Sequence, residues 1–357
     1  MTTNRITIRR GHAPAVVATS LAVVLAAATV VADGHDPQSH VPAVQAGLPG
    51  LVPGARGWAG DVEQREFRAE VSDRQSHSLA LGANGWLELK TVSGEVTVVA
   101  GSGPNVALEV VRVARGRTDE DARQGLAEVR ATVDHQGERA TVTAVYTKRE
   151  RPPYSVDVSY TVTAPPGTRV TASSVSGEVT VRRLQGEVVA SSVSGDVVVS
   201  EGSRATAKSV SGDVSVVNMK GDGGVFAGSV SGDVRLDGIA ASRLDAQSVS
   251  GEVTATRTAV ERSALKSVSG DIEYQGAIAR GGRYELQSHS GDVRVRAEGP
   301  AGFELEVSTF SGTLRTEPAA VLRAATTSRR SLRGTVGDGS AVVVATTFSG
   351  DVTISTP

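Results

Sequence analysis

Cysteine is absent from this chain of 357 residues. That excludes disulfide staples, thiolate metal sites, cysteine nucleophiles and a lipid on an N-terminal cysteine. Aromatic residues make up only 3%, so no row of rings is available to stack on sugars or bases. Phe, Tyr and Trp normally bury the most area per residue, so the core must come from Val, Ala and Leu, as suits narrow packing between short strands. Neither sign of charge dominates. There are 37 Lys and Arg against 39 Asp and Glu, which leaves no basic excess to attract nucleic acid.

What is present begins with an address. Arg5, Arg9 and Arg10 precede an apolar run from Ala13 to Ala32, and no acid occurs before Asp33. Val30-Val31-Ala32 ends the run with a small residue where a signal peptidase could cut, so residues 1–32 read as a secretory signal. The alternative is an uncleaved anchor, but Thr19, Ser20 and Thr29 weaken the run for spanning a bilayer. Cleavage would leave a chain of formal charge −5 with no membrane span. Residues 33–60 have few large apolar groups and no period, and read as a flexible linker. His35 and His40 lie there without a supporting carboxylate and read as solvated.

Residues 61–167 form a strand-rich region. Trp86 to Val92, Val106 to Val111, Ala140 to Tyr146 and Val156 to Val162 are β-rich or alternate apolar with polar. One amphipathic helix over 118–130 interrupts them. Thr118 can cap it, Asp121 sits three residues on, and Ala122, Leu126 and Val129 form its apolar stripe.

From residue 168 the chain repeats. Ser-Gly followed by Asp or Glu places Gly at 177, 195, 212, 232, 251, 270 and 291, with Gly312 and Gly350 continuing the series. The steps are 17 to 21 residues, and a gap of 38 before Gly350 fits two steps with a degenerate unit at Arg333-Gly334-Thr335. Gly94, in Thr-Val-Ser-Gly-Glu-Val, is an outlying copy. A unit of this size cannot bury a core alone, whereas stacked units bury a continuous column. The fold class is therefore all-β: a single-chain β-solenoid or β-helix of about 19-residue rungs, preceded by a small strand-rich region with one short helix. About nine rungs at ~4.8 Å make a rod roughly 40 Å long. Alternation predicts that Val175, Val193, Val210, Val230, Val249 and Val268, before each Ser-Gly, point inward. The same holds for Val179, Val197, Val214, Val234, Val253 and Ile272 after it, with the serines and acids outward.

These units resemble the DUF4097 family, the "putative adhesin" β-solenoid domain of exported bacterial proteins. The resemblance rests on Thr91 to Val96, the helix-containing insertion, Pro165-Pro166-Gly167 before the repeats, and Thr347-Phe348-Ser349-Gly350-Asp351-Val352. It covers about residues 80–357 and implies a stacked β fold in the envelope or on the cell surface. It brings no catalytic residues.

One constellation could carry chemistry: the acids Glu178, Asp196, Asp213, Asp233, Glu252, Asp271 and Asp292, one per rung. A line of calcium ions would relieve their mutual repulsion. Acidic nonapeptide β-rolls, however, use Gly-Gly-x-Gly-x-Asp turns at about half this period, and calcium wants about six to eight oxygens. The acids therefore read as turn caps, screened by solvent and by Lys208, Lys266 and Arg294, and no metal or cofactor is expected. A β-helix hydrolase or lyase needs differentiated carboxylates at one spot, which identical rungs do not supply. Ser263-Ala264-Leu265-Lys266 matches Ser-x-x-Lys without that motif's context. His289 takes the slot held by Val in earlier rungs and by Phe310 and Phe348 later, and reads as a packing residue. His77 and His135 are isolated. Arg329, Arg330 and Arg333 form a small basic cluster that reads as a solvated loop. The two serines per rung form a polar face for a glycan or another solenoid edge.

The expected role is non-enzymatic: an exported surface or envelope module for adhesion or scaffolding, with glycan or an envelope protein as partner. The alternative is a periplasmic accessory in an envelope sensing pathway. A carbohydrate-active enzyme ranks third.

Overall fold

The computed structural model describes residues 68–146, 152–317 and 323–356. The signal segment 1–32 and the linker 33–60 lie outside the described residues. Gln64–Pro357 forms one compact unit, and its strands join into a single 25-stranded hydrogen-bonded sheet.

Each rung consists of a first strand, a Ser-Gly turn and a second strand, and is named here for its glycine. The Gly195 rung comprises Glu187–Ser191 and Val197–Ser200. First strands stack in parallel on first strands, and second on second. Val188 lies between Val170 and Ala205, and Val197 between Val179 and Val214. The register keeps each position of the repeat in a column, and this is what makes the solenoid.

Gly94 is an outlier only in sequence. Its strands, Trp86–Lys90 and Val96–Ala100, pair directly with those of the Gly177 rung. The residues between them fold back over the other side. Arg139–Val145 covers Trp86–Lys90 and Tyr154–Ala164 covers Val96–Ala100, making a rung without Ser-Gly. Antiparallel strands Arg130–Gln136, Val106–Gly116 and Ala69–Leu79 then lie over that end. The helix runs Asp119–Glu128, and Thr118 caps it in a capping box with Asp121. Arg112 finishes it by donating to the carbonyls of Leu126 at 3.0 Å and Val129 at 2.8 Å, which would otherwise lack partners.

At the other end the structure corrects the sequence reading. The segment at Arg333-Gly334-Thr335 is no degenerate rung. It belongs to Ser331–Val336, antiparallel to Phe303–Ser311 on its outer side. The chain then turns back, and Ala341–Ser349 inserts between the first strands of the Gly291 and Gly312 rungs. Val352–Ser355 inserts likewise between their second strands. The 38-residue gap is therefore an excursion that covers the outer edge and returns. The spatial order is Gly291, Gly350, Gly312.

The core follows the second strands as predicted: Val179, Val197, Val214, Val234, Val253 and Ile272 are fully buried. Rung length tracks what is buried. The 17-residue step to Gly212 encloses Ala205 and Ala207, while the 21-residue step to Gly291 encloses Tyr274, Ile278, Tyr284 and Leu286. Tyr274 and Tyr284 pack with ring centroids 5.5 Å apart, and the Tyr284 hydroxyl donates to the Val260 carbonyl at 2.5 Å.

The valines before each Ser-Gly do not point inward. Val230, Val249 and Val268 are each about two-fifths exposed, and the serine one position earlier is buried instead. The reason lies in the turn. A Cβ on Gly232 would sit 2.1 Å from the carbonyl oxygen of Gly212, and the same conflict recurs at Gly177, Gly195, Gly212, Gly251, Gly270, Gly291, Gly350 and Gly312. Backbone therefore rests on backbone, and the polar groups in this contact need a partner from inside. Ser229 provides it by accepting from the Gly232 amide and donating to the Gly212 carbonyl, both at 2.9 Å. Ser192, Ser209, Ser248 and Ser267 make the same pair of bonds. Once this serine takes the inward position, alternation puts the valine outside.

Gly232→Ala should lower stability by about 3 kcal/mol or more, because rigid backbone must move. Ser229→Ala should cost about 1–3 kcal/mol by leaving a buried amide unpaired. Ser229→Thr should stay close to wild type, since Thr309 and Thr347 hold this position in two rungs. Denaturant unfolding of the three variants checks the ranking, and equal stability of the alanine and threonine variants would refute it.

Candidate functional site

The Ser-Gly turns align along one edge of the unit and present three parallel columns. The first is apolar. It begins at Val92, continues through Val230, Val249 and Val268, and ends in aromatic rings. His289 is exposed on this column and not a core packing residue as the sequence suggested. Its ring stacks on Phe348 at 4.9 Å, and Phe348 stacks on Phe310 at 4.7 Å, with interplanar angles of 9° and 4°. Arg330 lies over the far face of Phe310 at 5.0 Å. Phe310 and Phe348 are 54% and 47% exposed, although a core could have hidden them. Sequence spacing placed these three residues in one slot of the repeat, but not on the surface and not in this order, because the excursion reorders the rungs.

The second column is serine. Only the residue directly before each glycine is available, as at Ser194, Ser211, Ser231, Ser250 and Ser269. The predicted face of two serines per rung is thus half buried.

The third column holds the acids, one rung apart as expected. Their aspartates make an additional bond that spacing alone does not reveal. Asp196 accepts the backbone amide of Asp213 at 2.8 Å, Asp213 that of Asp233 at 2.9 Å and Asp233 that of Glu252 at 2.9 Å. Asp271, Asp292 and Asp351 accept from Asp292, Asp351 and Thr313 in turn. Glutamate is one methylene longer and does otherwise: Glu178 and Glu252 accept from Thr180 and Thr254 on their own strands. Two arginines tie neighbouring acids together. Arg235 reaches Asp213 at 3.0 Å and Asp233 at 2.7 Å, and Arg294 reaches Asp271 at 2.9 Å and Asp292 at 2.8 Å. The amide of Asp233, helped by Arg235, holds the Asp213 carboxyl below the usual range. The amide of Thr313 does the same for Asp351. Lys208 does not join this column, since its ammonium lies over the Phe226 ring at 4.9 Å.

The remaining candidates are scattered. Ser263 is buried on a strand with its hydroxyl unpartnered. His77 and His135 lie on separate strands, and His135 bonds the carbonyl of Gly137 at 2.9 Å. Of the arginine cluster, Arg333 pairs with Glu306 and Arg330 caps the ring stack. Among the described residues no group of three His, Asp or Glu is placed to hold a metal ion. No described helix is long and apolar enough to cross a membrane.

A family model described as Toastrack DUF4097 matches residues 86–355. The chain belongs to this family. The match starts at the first strand of the Gly94 rung and ends in the last strand of the Gly350 rung, so it takes in every Ser-Gly rung of the Toastrack stack and leaves out the end strand Ala69–Leu79. Curated protein sequences give no match. Solved structures that resemble this Toastrack chain include a "putative adhesin" from Bacteroides fragilis, at 11% identity and TM-score 0.41, covering 80% of this chain and 97% of that one. A "putative lipid binding protein" from Parabacteroides distasonis has 10% identity and TM-score 0.44, with the same coverages. A "putative cell adhesion protein" from Clostridium sporogenes has 8% identity and TM-score 0.25, covering 81% and 100%.

Two outcomes follow from the acid column. Carboxyls held below their usual value bind protons less well folded than unfolded. Their contribution is complete above the ordinary carboxylate value of about 3.9 and fades as pH falls through the lower folded values. Melting temperature should therefore hold from pH 7 to about 5 and drop below about 4. Asp213→Asn, which keeps an amide acceptor, should shrink that drop, and an unchanged acid profile would count against the assignment. In addition, because the aspartate oxygens already hold amides, the melting temperature should be the same in millimolar calcium and in chelator. A rise with calcium would restore the metal reading.

Proposed function

We propose that this chain is an exported, non-enzymatic β-solenoid of the bacterial envelope, with the Ser-Gly edge as its contact surface for adhesion or scaffolding. The observation that carries the reading is the exposed apolar column running from Val92 to Phe310 beside hydroxyls and carboxylates. Apolar side chains displaced outward on consecutive rungs form a continuous strip, and such strips on soluble proteins mark interaction sites. The support for a non-enzymatic role is repetition. Every rung offers nearly the same groups, whereas hydrolysis needs an acid and a base with environments that push their pKa values apart. Export rests on the n-region arginines and the apolar run before Ala32.

Protease shaving of intact source cells, followed by immunoblotting beside a periplasmic control, tests the location. Loss of the band while the control survives is expected. Survival until the outer barrier is opened would overturn the surface role and leave the periplasmic partner as the reading to pursue.

A further inference from the structure

One outward-facing position near the end of each first strand remote from the Ser-Gly edge is gathered by the register into a column. Arginine recurs in it. Arg139 and Arg169 flank Trp86 from the rungs on either side, at 4.2 and 5.7 Å from its ring. Further along, Arg243, Arg262 and Arg283 follow one another on three adjacent rungs in direct register. All three are exposed. Arg243 uses its Nε on Asp245 at 2.7 Å, and Arg283 its Nε on Glu285 at 2.6 Å, which leaves their terminal nitrogens facing solvent. Arg262 has Ala264 where its neighbours have an acid, and makes no ion pair among the described residues.

The fold does not require these arginines. Gly224 and Val342 occupy the same column on the flanking rungs. The acid column has a structural task in receiving backbone amides, whereas Arg243 and Arg283 bond only side chains on their own strands. Arg243 and Arg283 are each offset by one acid on their own strand, and Arg262 between them is not, so the charge open to a ligand of opposite sign centres on Arg262. Beside the arginines runs an open groove of about 420 Å³. Its floor is Ala240, Ala259 and Ala277, again in register, with Asp222 and Glu261 among its lining residues.

We propose that Arg243, Arg262 and Arg283, with the alanine groove, bind an acidic polysaccharide. The guanidiniums take carboxylate or sulfate groups in forked pairs, and the small side chains let the apolar faces of sugar rings lie against the sheet. A pyranose unit is about as long as one strand spacing, so a polymer with one acidic group per sugar matches the column in step. On the strands that carry these three arginines, the exposed large apolar side chains Val249 and Val268 sit at the other end, and Trp86 lies rungs away between Arg139 and Arg169, so a bilayer would find no anchor here. No exposed ring neighbours the three arginines to stack on a base. The proposal goes beyond the envelope reading and is tested without reference to location, so either can fail alone.

Binding of the purified chain to oligogalacturonate, heparin oligosaccharide, neutral dextran, duplex DNA and anionic phospholipid vesicles is measured at two salt concentrations. At least one acidic glycan should bind, more weakly at the higher salt, and dextran should not. Binding of oligogalacturonate shows that carboxylate suffices, and binding of heparin alone shows that sulfate is needed. Arg262→Gln should weaken binding about tenfold. The triple variant with Arg243→Gln and Arg283→Gln should abolish it without lowering the melting temperature. Arg182→Gln, on a second strand, should bind as wild type. The proposal is overturned if neither acidic glycan binds, if the triple variant binds normally, or if DNA or vesicles bind more tightly than both glycans.

Discussion

The contact between glycine backbones of successive rungs governs this structure. At the Ser-Gly edge the chain of one rung rests on the carbonyl of the next, at a separation that leaves no room for a side chain. That closeness brings amides and carbonyls together in a dry interface, where each must be satisfied. One serine per rung turns inward to do so, and a second consequence follows along the strand. The neighbouring valine is displaced to the surface, and with it His289, Phe348 and Phe310. The exposed strip is thus a by-product of packing in the first instance, available for use as a contact surface.

The second corner of the rung is handled differently. Arg183, Glu201, Asn218 and Arg257 occupy left-handed backbone there, with φ between 51° and 61°, alongside Gly238 at 67°. Non-glycine residues in this region carry a penalty of about 1 kcal/mol or more each. One corner therefore excludes every side chain, while the other has room for large ones and accepts strained backbone. The asymmetry concentrates sequence variety, and with it charge variety, at the corner opposite the Ser-Gly edge.

Much of this was legible in sequence. The period of the Ser-Gly motif gave the solenoid, and the spacing of Thr118, Asp121 and the following apolar residues gave the helix with its cap. The inward valines after the glycine followed from alternation. The valines before it did not, because a strict period of two was carried across a corner that shifts the phase. Val175 and Val179 are four residues apart and alike in sequence, yet the turn at Gly177 puts only Val179 inside. The aspartate ladder could be seen but not its task, since nothing in Ser-Gly-Asp says that the carboxylate reaches the amide of another rung. The slot shared by His289, Phe310 and Phe348 could be seen but not its outward direction, and the arginine column depends on register between rungs of unequal length, which sequence spacing does not supply.

At the far end, chain order and spatial order part company: the Gly350 rung lies between those of Gly291 and Gly312. At the near end the Gly94 rung lies beneath a rung built from later residues. Between Gly177 and Gly291 the two orders agree. Duplicating or deleting a unit of the gene within that stretch changes the height of the stack and leaves both closures intact. The same event at either end would break a strand that two others must hold. The middle of this architecture can therefore change length one rung at a time, while each of its two closures works only as a unit.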